Sequence, residues 1–107
     1  MNAAKAKVYL NYDGDLNSLA MLLEEALALP KFYLKSDQDY PHELVAMSEC
    51  LGFEVWLYEC NEKEGFTHLI EFETCITVED IDKVKSHDIS RWFAKHLSIV
   101  SELKVEL

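Results

Sequence analysis

The stretch from Phe53 to Ile76 constrains the fold most, because it contains two runs in which apolar and polar side chains alternate. Successive side chains of a strand point to opposite faces of its sheet, so a period of two predicts two half-buried strands. Residues 61–65, Asn-Glu-Lys-Glu-Gly, separate the runs and supply a loop in which Gly65 can adopt a positive φ. We therefore predict a β-hairpin over this stretch.

The two faces of this hairpin differ in chemistry. One face is predicted to be apolar and to carry Phe53, Val55, Leu57, Ile70, Phe72 and Ile76. The other face carries Trp56 and Tyr58 among the carboxylates of Glu54, Glu71 and Glu73. Large aromatic side chains dominate protein recognition sites, so this second face predicts a protein-binding surface. The alternative is that helices cover both faces and that Trp56 belongs to the core, since aromatic residues are common in ordinary strands.

The charge of the chain is strongly acidic. Acidic residues number 20 and basic residues 10, which gives a formal net charge of -10. The excess is concentrated in residues 36–82, which contain 13 acidic side chains and one basic side chain, Lys63. Such a segment repels nucleic acid and anionic membranes and attracts basic proteins. We predict a basic protein partner, without direct nucleic-acid or membrane binding; solubility alone is the alternative explanation of the charge.

The rest of the chain predicts alternating strands and helices. Residues 5–12 alternate as a first strand, and Asp15 is placed to cap a helix over residues 16–29 that ends before Pro30. Similar periodicities and capping residues predict five further elements: a strand at 31–35, a helix at 41–51, a short helix at 78–84, a helix at 89–100 and an edge strand at 104–107.

These elements follow the order β-α-β-α-β-β-α-α, with a final strand as an option. They predict a single globular domain over residues 1–107 of the α/β (α+β) class. The expected architecture is a single-layer mixed or antiparallel sheet of four to five strands with about four helices packed on it. A chain of this length suits one hydrophobic core.

Catalytic and metal-binding motifs are not found in the sequence. It contains no recognised nucleotide-binding, hydrolase or zinc-protease motif. A Cys-His couple between His68 and Cys60 or Cys75 lacks a third group that would orient it. The sequences Asp13-Gly14-Asp15 and Asp37-Gln38-Asp39 do not extend to a calcium-binding loop and are interpreted as turns and caps. We therefore predict a protein without catalytic residues, cofactors or metal sites.

Cysteine usage and the start of the chain both favour the cytoplasm. Cys50, Cys60 and Cys75 are odd in number and lack CxxC spacing, which is typical of free thiols in a reducing compartment. Residues 1–10, MNAAKAKVYL, lack the apolar segment of a signal peptide, and no apolar run approaches the length of a membrane span. A cytoplasmic protein is expected.

A compact acidic domain with an aromatic and acidic hairpin face resembles the immunity proteins of bacterial contact-dependent and other polymorphic toxin systems. The resemblance concerns size, charge and architecture, and it covers no aligned segment. It implies a non-catalytic inhibitor, or antitoxin, that neutralises a toxin, commonly a nuclease, by placing carboxylates in its positive cleft. The predicted partner-binding residues are Glu54, Trp56, Tyr58, Glu59, Glu62, Glu64, Glu71 and Glu73.

Two other functions fit the same sequence. A phage-encoded inhibitor that mimics DNA to block restriction or CRISPR enzymes would need carboxylates that follow the path of a phosphate backbone. A homodimeric structural or adaptor protein would bury the face of Trp56 and Tyr58 between two copies. The sequence leaves both alternatives open.

Overall fold

In a computed structural model, the described residues 2–36, 44–75 and 83–107 form seven strands and two helices. The bounds are β1 Asn2–Asn11, α1 Leu16–Leu27, β2 Tyr33–Ser36, β3 Leu44–Cys50, β4 Phe53–Glu59, β5 His68–Thr74, β6 Lys85–Asp88, α2 Ser90–Ser101 and β7 Lys104–Glu106. All seven strands belong to one sheet.

The sheet has the strand order β2-β3-β4-β5-β1-β6, and β7 also pairs with β1. Every pairing is antiparallel except that of β1 with β6. One edge of β1 pairs with β5, while its other edge pairs with β6 near its beginning and with β7 at its end. The first strand therefore joins the antiparallel strands from the middle of the chain to the β6-α2-β7 unit.

The predicted fold class was wrong in its numbers of strands and helices. Four to five strands and about four helices were predicted, whereas the part of the chain that the structure describes is an α+β arrangement of seven strands and two helices. The helix predicted at 41–51 is replaced by β3. The short helix predicted at 78–84 lies outside the described residues, except for residues 83 and 84.

The strand β3 was mistaken for a helix because its apolar residues also fit a helical spacing. It lies between β2 and β4, and both of its faces are buried. Ala46 and Ser48 are fully buried on the side of the helices, and the Ser48 hydroxyl donates to the carbonyl oxygen of Pro30 at 2.8 Å. Val45 and Met47 are buried on the other side. A strand buried on both faces loses the polar alternation that would identify it.

The helix α1 begins at the predicted cap and ends two residues earlier than predicted. Asp15 Oδ1 accepts a hydrogen bond from the Ser18 backbone N–H at 2.7 Å, and this bond lowers the pKa of Asp15. At the other end Ala28 adopts a left-handed φ of 53°, and the Leu29 N–H donates to the Glu24 carbonyl oxygen at 3.0 Å. A capping turn therefore ends the helix before Pro30 is reached.

Both helices pack on the same face of the sheet. The core on that side combines residues of α1 and α2 with alternate residues of the strands: Ala6, Val8, Leu10, Leu16, Leu19, Ala20, Leu23, Phe32, Ala46, Val55, Leu57, Ile70, Phe93, Ala94 and Leu97. Val55, Leu57 and Ile70 are fully buried there, which confirms the predicted apolar face of the hairpin; Ile76 lies outside the described residues. We call the opposite face, which carries Trp56, the open face, because neither described helix packs on it.

Candidate functional site

Strand register fixes which side chains meet on the open face. A line of paired residues crosses five strands through Tyr33, Met47, Trp56, Glu71 and Lys7. The next line, towards the β3–β4 turn, contains Glu49, Glu54, Glu73 and Lys5. On the other side of Trp56, a line contains Val45, Tyr58, Leu69 and Tyr9. Directly paired residues project from the same face with Cβ atoms about 5 Å apart, so these three lines form one surface.

Trp56 is half-buried at the centre of the open face. Its indole Nε1 donates to Glu54 Oε2 at 3.3 Å, and the neighbouring Tyr58 hydroxyl donates to Glu71 Oε1 at 2.7 Å. Aromatic side chains therefore orient both carboxylates. The indole is partly accessible and lies outside the helix-covered core cluster, so the described helices do not seal it as the core alternative required.

Three carboxylates form a row at one end of the open face. Glu49, Glu54 and Glu73 are directly paired on β3, β4 and β5, and we call them the acidic row. Loss of hydration, followed by the charges of these glutamates, raises the pKa of the adjacent Cys75 thiol. Directly opposed like charges destabilise a sheet. Folding does not require this arrangement, and such local conflicts are expected at functional sites.

The opposite end of the open face is aromatic and cationic. The rings of Tyr9 and Phe66 have centroids 6.4 Å apart, and Lys63 Nζ lies 5.4 Å from the Tyr9 centroid and 5.9 Å from the Phe66 centroid. Lys63 Nζ also lies 3.3 Å from a carboxylate oxygen of Glu106 and donates to the carbonyl oxygen of Leu107 at 2.6 Å. The lysine of the hairpin loop is therefore bound to the end of the chain and does not neutralise the acidic row.

The structure brings together five of the eight predicted binding residues: Glu54, Trp56, Tyr58, Glu71 and Glu73. The other three do not join them. Glu59 is paired with His68 and projects from the helix side of the sheet, while Glu62 and Glu64 are exposed in the loop that follows β4. Glu59 is five residues along β4 from Glu54, a distance of about 17 Å, and the loop lies beyond it.

Sequence reasoning missed three residues of the open face: Tyr33, Met47 and Glu49. Met47 is buried beside Trp56, and its sulfur accepts a hydrogen bond from the half-exposed Tyr33 at 3.4 Å. Glu49 extends the acidic row by one strand. Met47 and Glu49 were missed because residues 44–50 were interpreted as helix, and Tyr33 was missed because it joins the open face only through its pairing with Met47. A usable signal was the two-residue spacer Leu51-Gly52 directly before the predicted hairpin, because X-Gly pairs are typical of tight β-turns.

His68 does not form a catalytic couple. It is 3% exposed on the helix side, its Nδ1 lies 2.7 Å from Thr67 Oγ1, and its buried Nε2 has no hydrogen-bond partner within the described ranges. Burial lowers the pKa of His68, and the charge of Glu59 partly opposes this shift. A buried imidazole of lowered pKa is neutral at physiological pH, which fits a structural residue.

Two cavities of the described chain lack a Cys-His couple. One lies between the helices and is lined by Leu22, Glu25, Ala26, Val100 and Ser101. The other, of about 170 Å³, is lined by Leu27, Leu29, Val55, Phe72, Trp92, Phe93 and His96. Within residues 2–36, 44–75 and 83–107, no three His, Cys, Asp or Glu side chains gather to hold a metal ion. No helix in these ranges is long and apolar enough to cross a membrane.

Comparison of the chain with protein-family models, curated proteins and solved structures gave no match. A functional assignment therefore depends on the geometry and charge of the open face.

Proposed function

We propose that this chain is a non-catalytic binding protein that captures a basic protein on its open face and covers the partner's cationic surface. The observation that carries the proposal is the position of Trp56, a partly exposed aromatic side chain between oriented carboxylates and beside the acidic row. Buried aromatic anchors supply most of the affinity of a protein interface. Repulsion within the acidic row destabilises the free protein. Cations of a bound partner would reduce this repulsion, which would add to the affinity of the complex.

Charge and anchor act at different stages of this mechanism. The net charge of -10 attracts a basic partner over a distance and raises the association rate at low ionic strength. Trp56 and Met47 then lose their remaining contact with water in the docked complex, which slows dissociation. A standard interface of about 1,600 Å² would extend beyond the acidic row to Tyr33 and Tyr58.

An inhibitor of the immunity-protein kind fits this mechanism. The partner would be a toxin domain, and the carboxylates would occupy the cleft in which that toxin binds an anionic substrate. Cys50, Cys60 and Cys75 are all free, which fits the reducing cytoplasm in which such an inhibitor would work.

The charge reversal Glu54→Lys tests the proposal. It places a cation between Glu49 and Glu73, so the free energy of unfolding should stay equal or rise while capture of a basic partner weakens at least about tenfold. Immobilised wild-type and variant proteins are compared for the basic proteins that they retain from a lysate of the native host. Unfolding in urea is measured in parallel, so that loss of the partner is separated from loss of the fold.

Glu62→Lys is the matched control for this experiment. It makes the same change in charge in the exposed loop of the same hairpin, away from the acidic row. We expect it to retain the partner with a small decrease in association rate. Equal retention by Glu54→Lys and wild type, or equal loss in both variants, would show that the open face is not the binding surface.

A homodimer is the second candidate, and exposed apolar side chains on the helices favour it. Met21 is 62% exposed on α1, and Trp92 and Ile99 are 64% and 68% exposed on α2. Sedimentation velocity distinguishes the two functions. A tight dimer favours the adaptor function, whereas a monomer at micromolar concentration favours capture of a different protein.

A further inference from the structure

The neighbours of Trp56 on the open face are chemically distinct. Glu54 and Tyr58 precede and follow it by two residues on β4, while Met47 and Glu71 are its directly paired partners on β3 and β5. Two carboxylates, a phenol and a thioether therefore surround one partly exposed indole. A planar aromatic ring bordered by anionic groups is an environment that attracts a cation to the ring face.

Within the described residues, each carboxylate beside Trp56 uses one oxygen for its aromatic partner and keeps the other for a ligand. Glu54 uses Oε2 to accept from the indole, and Glu71 uses Oε1 to accept from Tyr58. Glu54 also forms a hydrogen bond with the Cys75 thiol, which is a weak donor that a guanidinium can displace. Since the aromatic side chains hold the carboxylates in place, a ligand that bridges them would lose little free energy in ordering them.

Lys5 and Lys7, the two lysines of β1 that the register brings onto the open face, do not neutralise this pair of carboxylates in the described part of the chain. Lys7 is paired with Glu71, yet its Nζ lies 5.9 Å from the centroid of the Tyr9 ring, and it is not within 4 Å of a carboxylate in the described part of the chain. Lys5 is paired with both Glu73 and Asp88, and its charge helps to lower the pKa of Asp88 after the hydrogen bonds from Ser90. The lysines of β1 therefore leave the position beside Trp56 open to a cation of another molecule.

We propose that Trp56, Glu54 and Glu71 form a receptor for an arginine side chain of the basic partner, an inference that rests on the function proposed above. The guanidinium would stack on the indole and donate to the free oxygens of the two carboxylates. Arginine suits this site better than lysine because its planar group stacks on aromatic rings, carries five donors in a fork and is weakly hydrated. A lysine ammonium would bind the carboxylates as a point charge and would use the ring less well.

Two capped hexapeptides test the inference, one of alternating Gly and Arg and one of alternating Gly and Lys. The Trp92→Phe variant serves as the background, so that the one remaining indole N–H signal in NMR belongs to Trp56. We expect the arginine peptide to shift this signal at low salt and to bind about fivefold more tightly than the lysine peptide, which corresponds to the weaker of the usual cation–π energies.

The double variant Glu54→Gln/Glu71→Gln should abolish the preference for arginine, because glutamine keeps the hydrogen bonds to the aromatic side chains and removes the charge. Glu62→Gln/Glu64→Gln is the matched control and should preserve the preference. Trp56→Phe keeps a ring at the position and should reduce the preference without unfolding the domain. Because this variant has lost the indole signal, its peptide binding is measured by calorimetry, and thermal unfolding verifies its fold.

The outcomes separate this inference from the proposed function. Equal affinity for both peptides, lost in Glu54→Gln/Glu71→Gln, would overturn the arginine receptor and leave cation capture by the open face intact. Binding of neither peptide, or binding that is lost only in the loop variant, would overturn both.

Discussion

At the start of β5, the His68 imidazole makes an edge contact with Tyr12, and its Nε2 is buried without a hydrogen-bond partner in the described part of the chain. The folded state therefore binds a proton at His68 less readily than the unfolded state, whose pKa is near 6.5. The ionisable groups that face it are Glu59, which partly opposes the shift, and Tyr12. The contribution of the neutral His68 imidazole to stability is complete above the pKa of His68 in the unfolded state. It is lost as the pH falls through the lower pKa of His68 in the folded state.

Removal of this imidazole should flatten the dependence of stability on pH. We expect the wild-type free energy of unfolding to fall between about pH 7 and pH 5, and His68→Leu to show a smaller fall over the same range. Urea unfolding at several pH values measures both. An unchanged slope in the variant would show that His68 is not the group that couples protonation to unfolding.

The sequence alone assigned some residues of the candidate site to the correct face of the sheet and misplaced or missed others. Trp56, Glu54 and Glu71 were assigned to one face because a strict period of two leaves one solution for a half-buried strand. Glu59 was misplaced because it was grouped by charge, although the same alternation puts it on the other face. Glu49 was not found because its position depends on register with β4, which no local pattern of β3 reveals.

The β3–β4 turn shows how a short connection sets a register. Leu51 and Gly52 both have positive φ, 51° and 82°, as a two-residue type I′ turn requires. Leucine is unfavourable there, and its side chain is 93% exposed, so that it gains nothing from packing. We expect Leu51→Asn to raise the free energy of unfolding by about 1 kcal/mol, as measured in urea.

Leu51→Ala is the control for the turn. It removes the same exposed side chain and keeps the unfavourable backbone preference, so it should leave stability close to that of the wild type. A gain of similar size in both variants would attribute the effect to the loss of exposed apolar surface and not to the turn.

At the level of elements, the local period of apolar residues was sufficient to predict a strand or helix when one of its faces was buried and the other was polar. The first strand, α1, the central hairpin, α2 and the final strand were predicted on this basis. The strand β3 was wrongly predicted because both of its faces are buried, and helix-forming residues such as Ala46 and Met47 are kept in a strand by their neighbours. The exposed strand β6 was missed because residues 85–88 are all polar, and its pairing with β1 depends on backbone hydrogen bonds.

The whole molecule depends on β1, which pairs with three other strands. A chain shortened to residue 103 would lose the pairing of β7 with Tyr9, Leu10 and Asn11, the partly buried Val105 and the contacts of Lys63. We expect a loss of about 2 kcal/mol in the free energy of unfolding, together with self-association through the exposed edge of β1. Urea unfolding and light scattering measure these effects.

Glu106→Gln separates the contributions at this edge. It removes the ion pair with Lys63 and keeps the strand, so its effect should be small, as is usual for an exposed pair. A loss as large as that of the shortened chain would show that the ion pair, and not the strand, holds this edge of the sheet.

The pairing of β7 with β1 also has a consequence for synthesis in the cell. As long as residues 104–106 remain inside the ribosome, the outer edge of β1 beyond β6 has no partner strand, and the nascent sheet stays incomplete. Sheets of this topology form late, since distant segments must meet before they are stabilised. For a toxin inhibitor of the kind proposed above, a toxin translated at the same time would be active before this edge had formed, and protection would depend on copies of the chain that had been made beforehand.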